Sequence, residues 1–253
     1  MSLSLDLDSP ERLNAIRTTI QKKAAVRNWY LEIYRKYQEV YELSKVTGDN
    51  SKAIAIELGS GASFCKEIIP DILYTDIIPY SNVDLVVDAT KMPFENCSLR
   101  AIFMTNVLHH IPDAEAAFKE IARCLRPGGH CLIVDQFPGY HAKWICKYLH
   151  HEDYNDRVKE WSFPSQGPLS SANTALAWII FCRDRKRFEE KFPELKIKFI
   201  RKHTPFRYWL SGGLKSWTLI PERLFPLATA IDHHLVKLLP NSASFMDIVL
   251  QRR

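Results

Sequence analysis

Three carboxylates each end an apolar, strand-like run in the first half of the chain. Glu57 follows Ile-Ala-Ile, Asp76 closes Ile-Leu-Tyr-Thr-Asp, and Asp88 closes Val-Asp-Leu-Val-Val-Asp. In an open parallel sheet, ligands bind at the carboxyl ends of the strands. Gly59 and Gly61 follow Glu57 directly, and glycine lets a backbone approach a ligand closely. We therefore predict that these residues line one ligand site.

The residues around the glycine loop argue against a phosphate ligand. A dinucleotide fingerprint requires a third glycine at position 64, which is Phe64 in this chain. The Glu57 carboxylate would repel a pyrophosphate, but it would suit an amine or another positive centre. No Gly-Lys-Ser/Thr occurs, which excludes a nucleoside triphosphate loop. A nicotinamide-dependent oxidoreductase remains an alternative, disfavoured by Phe64 and Glu57.

The two later acids suggest what the ligand is. Asp76 lies at a strand end where a carboxylate can accept hydrogen bonds from both hydroxyls of a ribose. Asp88 lies at the next strand end, where an acid can accept from an exocyclic amine. A purine, a ribose and a cationic group without phosphate together describe S-adenosylmethionine.

Several segments between residues 52 and 136 resemble, in their order along the chain, the motifs of the class I S-adenosylmethionine-dependent methyltransferases. They are Glu-Leu-Gly-Ser-Gly-Ala-Ser at 57–63, Asp76, Asp88-Ala89-x-x-Met-Pro-Phe, Asn106-Val-Leu-His-His-Ile-Pro-Asp and Leu125-Arg-Pro-Gly-Gly-His. The resemblance implies a Rossmann-like α/β fold with a seven-stranded, mostly parallel sheet whose last strand is antiparallel. It also implies S-adenosylhomocysteine as the product.

The same resemblance assigns the cofactor contacts. The loop bearing Glu57, Gly59, Ser60, Gly61 and Ser63 would lie beneath the methionine portion; Asp76 and Ile77 would contact the ribose, Asp88 and Ala89 the adenine, and Asn106 the sulfonium. Many family members have a third glycine where this chain has Ser63. Serine is small and can donate to a carboxylate, so cofactor binding is compatible with it.

Two histidines are candidates for catalysis. Methyl transfer is an in-line displacement in which the enzyme mainly aligns the reactants and excludes water. A hydroxyl acceptor is helped by a general base, and histidine suits that role near neutral pH. His110, and less favourably His109, follow the fourth strand beside the expected methyl position. The alternative is that this pair only packs or hydrogen-bonds the loop.

Aromatic residues outside the core are candidates for the acceptor pocket: Tyr140, His141, Tyr208 and Trp209. Tyr-Trp-Leu-Ser-Gly-Gly-Leu at 208–214 resembles the C-terminal part of bacterial methyltransferases associated with surface-polysaccharide and glycolipid assembly. That resemblance implies a small-molecule or lipid-linked acceptor, such as a sugar hydroxyl. A binding protein that has lost turnover is a further alternative.

We predict no metal site. Histidine doublets occur at 109–110, 150–151 and 233–234, but adjacent side chains point apart on a helix or strand. None has the His-x-x-x-His spacing that directs two ligands at one ion.

The elements that position these residues are predicted from periodicity and turn signals. Strands are expected at 53–58, 72–76, 83–88, 100–105, 130–136, 196–203 and 245–251, with helices at 63–69 and 113–125. A helical extension (1–50) is predicted to begin at Ser9-Pro10-Glu11 and to end before the turn at 47–50. Its aromatic side, formed by Tyr30, Ile33, Tyr34, Tyr37 and Tyr41, is predicted to pack over the main domain or, alternatively, to form a lid over a ligand cleft. Residues 51–253 would form the methyltransferase domain, with insertions at about 137–190 and 205–240.

Composition limits the partners. The chain has 253 residues, 46% of them hydrophobic, and a net charge of +5 from a mixed surface, which makes a nucleic-acid substrate unexpected. Six cysteines without Cys-x-x-Cys spacing, no leader-like N-terminus and no long apolar stretch predict a cytoplasmic protein. The apolar run 218–239 would form a packed lid or, alternatively, rest on a bilayer surface with Arg223 and Lys237 at its edges. The oligomeric state is left open.

Overall fold

The computed structural model describes residues 12–44, 53–150 and 152–253, and its centre is one seven-stranded sheet. The strands are β1 (Ile54–Leu58), β2 (Leu73–Asp76), β3 (Leu85–Val86), β4 (Leu99–Thr105), β5 (Leu125–Gln136), β6 (Leu195–His203) and β7 (Phe245–Arg252). Their order is β3-β2-β1-β4-β5-β7-β6. The first five are parallel, whereas β7 is antiparallel to both β5 and β6. The predicted fold class is confirmed.

The strand order brings the predicted strand-end residues to one edge of the sheet. β1 lies between β2 and β4, so the carboxyl ends of these three strands are neighbours. Glu57, Asp76 and Asn106 therefore lie side by side although they are far apart in sequence. This is the crevice in which open α/β sheets bind ligands.

The two faces of the sheet are covered differently. Helix α2 (Ala24–Leu43) packs its aromatic stripe, including Tyr34 and Tyr37, against alternate residues of the central strands. The Tyr37 ring stacks on Phe103 with a centroid separation of 4.5 Å. Helix α3 (Ala114–Cys124) and the segment 175–192 cover the other face. The expectation that the aromatic side of the N-terminal helix packs against the rest of the protein is confirmed.

The helix expected at 63–69 is wrong, because only one 3₁₀ turn, Cys65–Glu67, forms there. The Ser63 hydroxyl accepts a hydrogen bond from the backbone N–H of Cys65, which competes with regular helical bonding. Pro70 follows at once and disfavours helical geometry in the residue before it.

The N-terminal helix is divided in two. Helix α1 (Arg12–Lys22) ends at Lys23, which has extended backbone angles, and α2 begins at the next residue. Four carbonyls surround the Lys23 ammonium and share its three N–H donors: those of Gly213, Lys215 and Trp217, at 2.9, 2.9 and 3.0 Å, and that of Ser211. The expected start at Ser9-Pro10-Glu11 and the turn at 47–50 lie outside the described residues.

The remaining helices belong to the segments predicted as insertions. They are α4 (Tyr140–Tyr148), α5 (Leu176–Trp178, continued by a π-helical turn at Ile179–Arg183), α6 (Arg185–Lys191), α7 (Arg207–Leu210) and α8 (Phe225–Leu238). Within the described ranges, no helix has the length and apolar character needed to cross a membrane.

Candidate active site

A cavity of about 650 Å³ lies at the carboxyl ends of β1, β2 and β4. Helices α1 and α2 and the segment 208–219 enclose it. All ten residues predicted to bind the cofactor line it: Glu57, Gly59, Ser60, Gly61, Ser63, Asp76, Ile77, Asp88, Ala89 and Asn106. The structure thus brings the predicted set together, while its contacts with a cofactor remain a prediction.

The glycine loop has a backbone shape that side chains obstruct. Gly59 has a φ of +63°, and a Cβ at this position would lie 2.5 Å from the Val107 side chain. Gly61 also has a positive φ, +46°. The loop is held in place because the N–H of Gly61 donates to Asp76 at 2.9 Å. The result is an open backbone surface facing the cavity.

Glu57 is a buried carboxylate directed into this cavity. The residue is 3% exposed, and its Oε2 has no hydrogen-bond partner among the described residues. Burial raises the pKa of Glu57 to about 8, a hydrogen bond from Ser63 opposes the rise, and the neighbouring Asp76 adds to it. An unpaired buried carboxyl is costly, so this group favours a cationic or hydrogen-bond-donating ligand.

The two later acids differ in environment. Asp76 is buried and accepts from the backbone N–H of Gly61 and of Ile78, at 2.9 and 3.0 Å. Burial raises its pKa although these bonds oppose the rise. Asp88 is exposed and accepts from the N–H and hydroxyl of Thr90, both at 2.7 Å. Both carboxylates line the cavity, as the ribose and adenine assignments require.

Asn106 has strained backbone geometry at the end of β4. Its φ of +56° lies in the left-handed region, which only a few non-glycine residues adopt. Its side-chain Oδ1 is buried without a hydrogen-bond partner among the described residues, like the Ser60 hydroxyl across the cavity. Such strain is concentrated at functional sites. Two further polar groups are thus available to a ligand beside Glu57.

The predicted histidine pair lies beside two acids that the sequence did not suggest, Asp135 and Glu152. His109 Nδ1 lies 2.6 Å from Asp135, and its Nε2 lies 3.4 Å from Glu152. His110 Nδ1 lies 3.0 Å from the carbonyl of Ser171, and its Nε2 lies 3.5 Å from Glu152. Since a carbonyl only accepts, His110 Nδ1 carries the proton, and Nε2 is the nitrogen available to take one.

The electrostatics separate the two histidines. Burial alone would lower the pKa of His109, but the carboxylates of Asp135 and Glu152 outweigh it and raise the pKa to about 10. Burial also acts against the charge of Glu152, yet the hydrogen bond and positive charge of His109 hold the pKa of Glu152 well below the usual range. His109 is therefore an imidazolium at neutral pH and cannot serve as a base. The geometry favours His110.

The expectation that adjacent histidines point apart is wrong for this pair. The ring centroids of His109 and His110 are only 4.3 Å apart, because they lie in one 3₁₀ turn, Leu108–His110. One ligand atom from each, with one from Glu152, lie within 4.8 Å of one another, close enough for a metal ion. The absence of a metal therefore remains a prediction that needs a test. His151, of the second doublet, lies outside the described residues.

The structure places two of the four residues predicted for the acceptor pocket at the cavity. Tyr208 and Trp209 line the cavity. Tyr140 and His141 do not: the tyrosine is 71% exposed at the start of α4, and the histidine stacks on Phe206 and lies 2.7 Å from the carbonyl of Pro205. The first two residues of α4 lie outside the cavity, whereas Ile145 of the same helix lines it, so sequence proximity to β5 did not place Tyr140 and His141 there.

Other cavity residues were missed by the sequence reasoning. Glu152 comes from an irregular segment with no periodicity, so nothing in the sequence marked it. Leu13, Ile16 and Ile20 of α1 form an apolar wall. Tyr30 and Tyr34 belong to the aromatic side of α2, for which both packing on the domain and a lid over a cleft were expected; they line the cavity.

Comparison with protein families gives one match. The family model of a methyltransferase domain matches residues 56–133, the part of the chain that contains the glycine loop and the histidine pair. The matched segment runs from β1 into β5 and covers less than half of the chain.

Curated relatives match only in part. A sterol 4-C-methyltransferase of Caenorhabditis elegans is 28% identical over 127 residues, which cover 49% of this chain and 37% of the relative. A ubiquinone/menaquinone biosynthesis C-methyltransferase of Desulfotalea psychrophila is 36% identical over 53 residues, covering 21% and 22%. The chain thus spans about a third or less of the length of these relatives.

Solved structures resemble the whole chain more distantly. A putative methyltransferase complex with the Trm112 activator of Haloferax volcanii has 13% identity and a TM-score of 0.47, covering 94% of this chain and 97% of that chain. A geranyl diphosphate C-methyltransferase of Streptomyces coelicolor has 13% identity and a TM-score of 0.44, covering 86% and 81%. Because both TM-scores lie below 0.5, the fold is assigned from the strand order of the sheet and not from these structures. The similarity to a methyltransferase domain rests on residues 56–133.

Proposed function

We propose that this protein is an S-adenosylmethionine-dependent methyltransferase. The observation that carries the proposal is the buried Glu57 carboxyl, unpaired at Oε2, in a cavity with a glycine loop and two further strand-end acids. This set offers acceptors for an amine or a sulfonium and for ribose and adenine. The volume of about 650 Å³ falls within the roughly 300–1,000 Å³ usual for small-molecule sites.

Different residues are proposed to contact different parts of the cofactor. Glu57, Ser60 and the glycine loop would hold the methionine portion, and Asp76 with Ile77 the ribose. Asp88 and Ala89 would hold the adenine, and Asn106 would lie beside the sulfonium. The bound cofactor would supply an electrophilic methyl group. The protein's own contribution is to align an acceptor with that methyl and to exclude water, which α1, α2 and segment 208–219 do by enclosing the cavity.

His110 is proposed as the general base for an acceptor hydroxyl. Its Nε2 would take the hydroxyl proton as the oxygen forms its bond to the methyl carbon and the carbon–sulfur bond breaks. Glu152, 3.5 Å from that nitrogen, would stabilise the imidazolium that results. His109, fixed between Asp135 and Glu152, is a positioning residue that holds the Glu152 carboxylate in place.

The acceptor is proposed to be a small molecule with an apolar body, or a lipid-linked one. The cavity walls beyond the donor site are apolar and aromatic, with Ile145, Leu149, Leu214, Trp217 and Leu219 among them. The curated relatives named above are sterol and quinone C-methyltransferases, which agrees with an apolar acceptor. The aromatic residues at 208–217 equally suit stacking on a sugar ring, so a sugar hydroxyl on a lipid carrier is the second candidate.

Calorimetry tests the donor. We expect micromolar or tighter binding of S-adenosylmethionine and S-adenosylhomocysteine and none of NAD, and we expect Glu57→Gln to weaken the first. Binding of NAD alone would overturn the proposal in favour of an oxidoreductase.

Turnover needs a second test. Incubation of the protein and tritiated S-adenosylmethionine with cell extract is expected to label an extractable small molecule or lipid. Label in no fraction would indicate a binding protein without turnover. Label that ribonuclease or deoxyribonuclease removes would indicate a nucleic-acid substrate instead.

A further inference from the structure

Two helices outside the sheet expose apolar side chains along one face. On α8, Leu227, Ile231 and Leu238 recur at helical spacing and are 60%, 54% and 79% exposed. On α4, Tyr140, Trp144 and Tyr148 recur every four residues and are 71%, 56% and 61% exposed. We define these six residues as the apolar surface.

The inner sides of both helices are fixed to the protein. The carboxylate of Asp232, 2% exposed, accepts from the backbone N–H of Phe206 and of Arg207 at 3.0 Å. Ala142 and Cys146 bury the inner side of α4. The outward direction of the apolar surface is therefore built into the fold, and it contradicts a fully packed lid at 218–239.

The apolar surface continues into the cavity. Leu149 directly follows α4, and Trp217 and Leu219 precede α8; these three side chains are 61%, 47% and 66% exposed, and all three line the cavity. Exposed apolar patches of this kind mark interaction sites in proteins.

The charges indicate the partner. Lys147, Arg223 and Lys237 are exposed on or beside the two helices, whose only acid within α4 and α8, Asp232, is buried. The exposed Glu222 beside Arg223 accepts a hydrogen bond from the N–H of Ala24. Lys143 is paired with Asp156. A second copy meeting this face across a two-fold axis would bring like charges together. An anionic bilayer complements both the charges and the tryptophan and tyrosine of α4, side chains that favour the membrane interface.

We propose that the apolar surface docks the protein on an anionic lipid bilayer, with the mouth of the cavity at Leu149, Trp217 and Leu219 facing the lipid. An acceptor with a hydrocarbon chain would then enter the cavity from the bilayer. The route of the acceptor rests on the proposed function, whereas the docking itself does not.

Flotation with vesicles of phosphatidylcholine and phosphatidylglycerol tests the docking. We expect the full chain to float with these vesicles and Leu227→Gln/Ile231→Gln to lower the partition coefficient at least about tenfold. The matched control is Leu43→Gln, which removes a similarly exposed leucine (64%) from the C-terminal end of α2, two residues after Tyr41, whose carbonyl accepts from Arg100 near the start of β4. A second variant, Arg223→Gln/Lys237→Gln, is expected to weaken binding to these vesicles and to leave binding to pure phosphatidylcholine unchanged.

Three results would overturn the docking proposal. In the first, the wild-type protein stays in the unbound fraction. In the second, Leu227→Gln/Ile231→Gln floats like the wild type. In the third, the wild type does not bind vesicles, and sedimentation shows that it is a dimer whereas Leu227→Gln/Ile231→Gln is a monomer. Calorimetry with S-adenosylmethionine on each variant confirms folding and separates the two proposals. Flotation without cofactor binding would retain the docking surface and reject the methyltransferase.

Discussion

The donor end of the cavity, formed by the tips of β1, β2 and β4, and its acceptor end, formed by His110, Glu152 and segment 208–219, are assembled in different ways. Every donor residue lies between residues 57 and 106, at the end of a strand or on the loop that follows it. The acceptor residues come from three separate parts of the chain. A site built from consecutive strand ends is specified by local sequence, whereas one built from insertions is specified only by tertiary packing.

The largest effect is expected at the acceptor end. His110→Ala should lower kcat by about 10²- to 10⁴-fold, the usual contribution of a general base. The dissociation constant of S-adenosylmethionine should not change, since no donor group is altered. Labelled-methyl incorporation and calorimetry measure the two quantities. The control is His234→Ala, which changes an exposed histidine on α8. An equal loss of kcat in both variants would contradict the assignment of His110 as the base.

The donor end should respond in the opposite manner. Asp76→Asn should weaken binding of S-adenosylmethionine and S-adenosylhomocysteine by about 10- to 100-fold, as expected when a charged hydrogen-bond acceptor is lost. Calorimetry measures both affinities. Asp84→Asn is the matched control, because Asp84 follows β2 but pairs with Lys66 outside the cavity. An unchanged affinity in Asp76→Asn would contradict the ribose assignment.

The pKa of Glu57 gives the donor end a pH signature. Its folded pKa of about 8 lies above the ordinary 4.5, so the ligand-free protein binds an extra proton relative to the unfolded chain between these values. The free energy of unfolding should therefore fall as the pH rises from about 4.5 to about 8. Above about pH 8, Glu57 should contribute no further change to it. Thermal unfolding over this range measures it.

Glu57→Gln serves as the comparison, because an amide does not titrate. We expect its stability to decline less than that of wild type across the same pH range. Parallel curves would show that Glu57 is not the titrating group.

A smaller effect is expected at the contact that joins the α1–α2 junction to segment 208–219. Lys23→Met removes the ammonium from four carbonyls and should lower the free energy of unfolding by about 1–3 kcal/mol. It should also speed proteolysis within 211–219, with cofactor affinity largely kept. Urea unfolding and limited proteolysis measure these changes. Lys22→Met, an exposed neighbour, should leave both unchanged.

No effect is expected from removal of metal. Dialysis against EDTA should leave labelled-methyl incorporation unchanged if His109, His110 and Glu152 act as an ion-pair network. Loss of activity with EDTA and its restoration by Zn²⁺ or Mn²⁺ would show that the three side chains bind a metal instead.

The donor end was predictable because its signals are local. An apolar run, an acid and two glycines fix a strand, its tip and the loop after it, so Glu57, Gly59 and Asp76 were placed correctly around one cavity. The helix at 63–69 failed where Ser63 and Pro70 interrupt it. Glu152 reaches the histidines only through the path of an irregular segment, which no periodicity reveals.

The contacts of Lys23 have a consequence for the order in which the cofactor and the product would leave the cavity. The Lys23 ammonium connects the junction between α1 and α2 to the backbone of residues 211–217. Helix α1 and residues 211–217 line different parts of the cavity. Neither wall can swing outward alone without breaking these bonds. Exchange of the spent cofactor and departure of the methylated product are thus mechanically linked, and both would follow a single opening step.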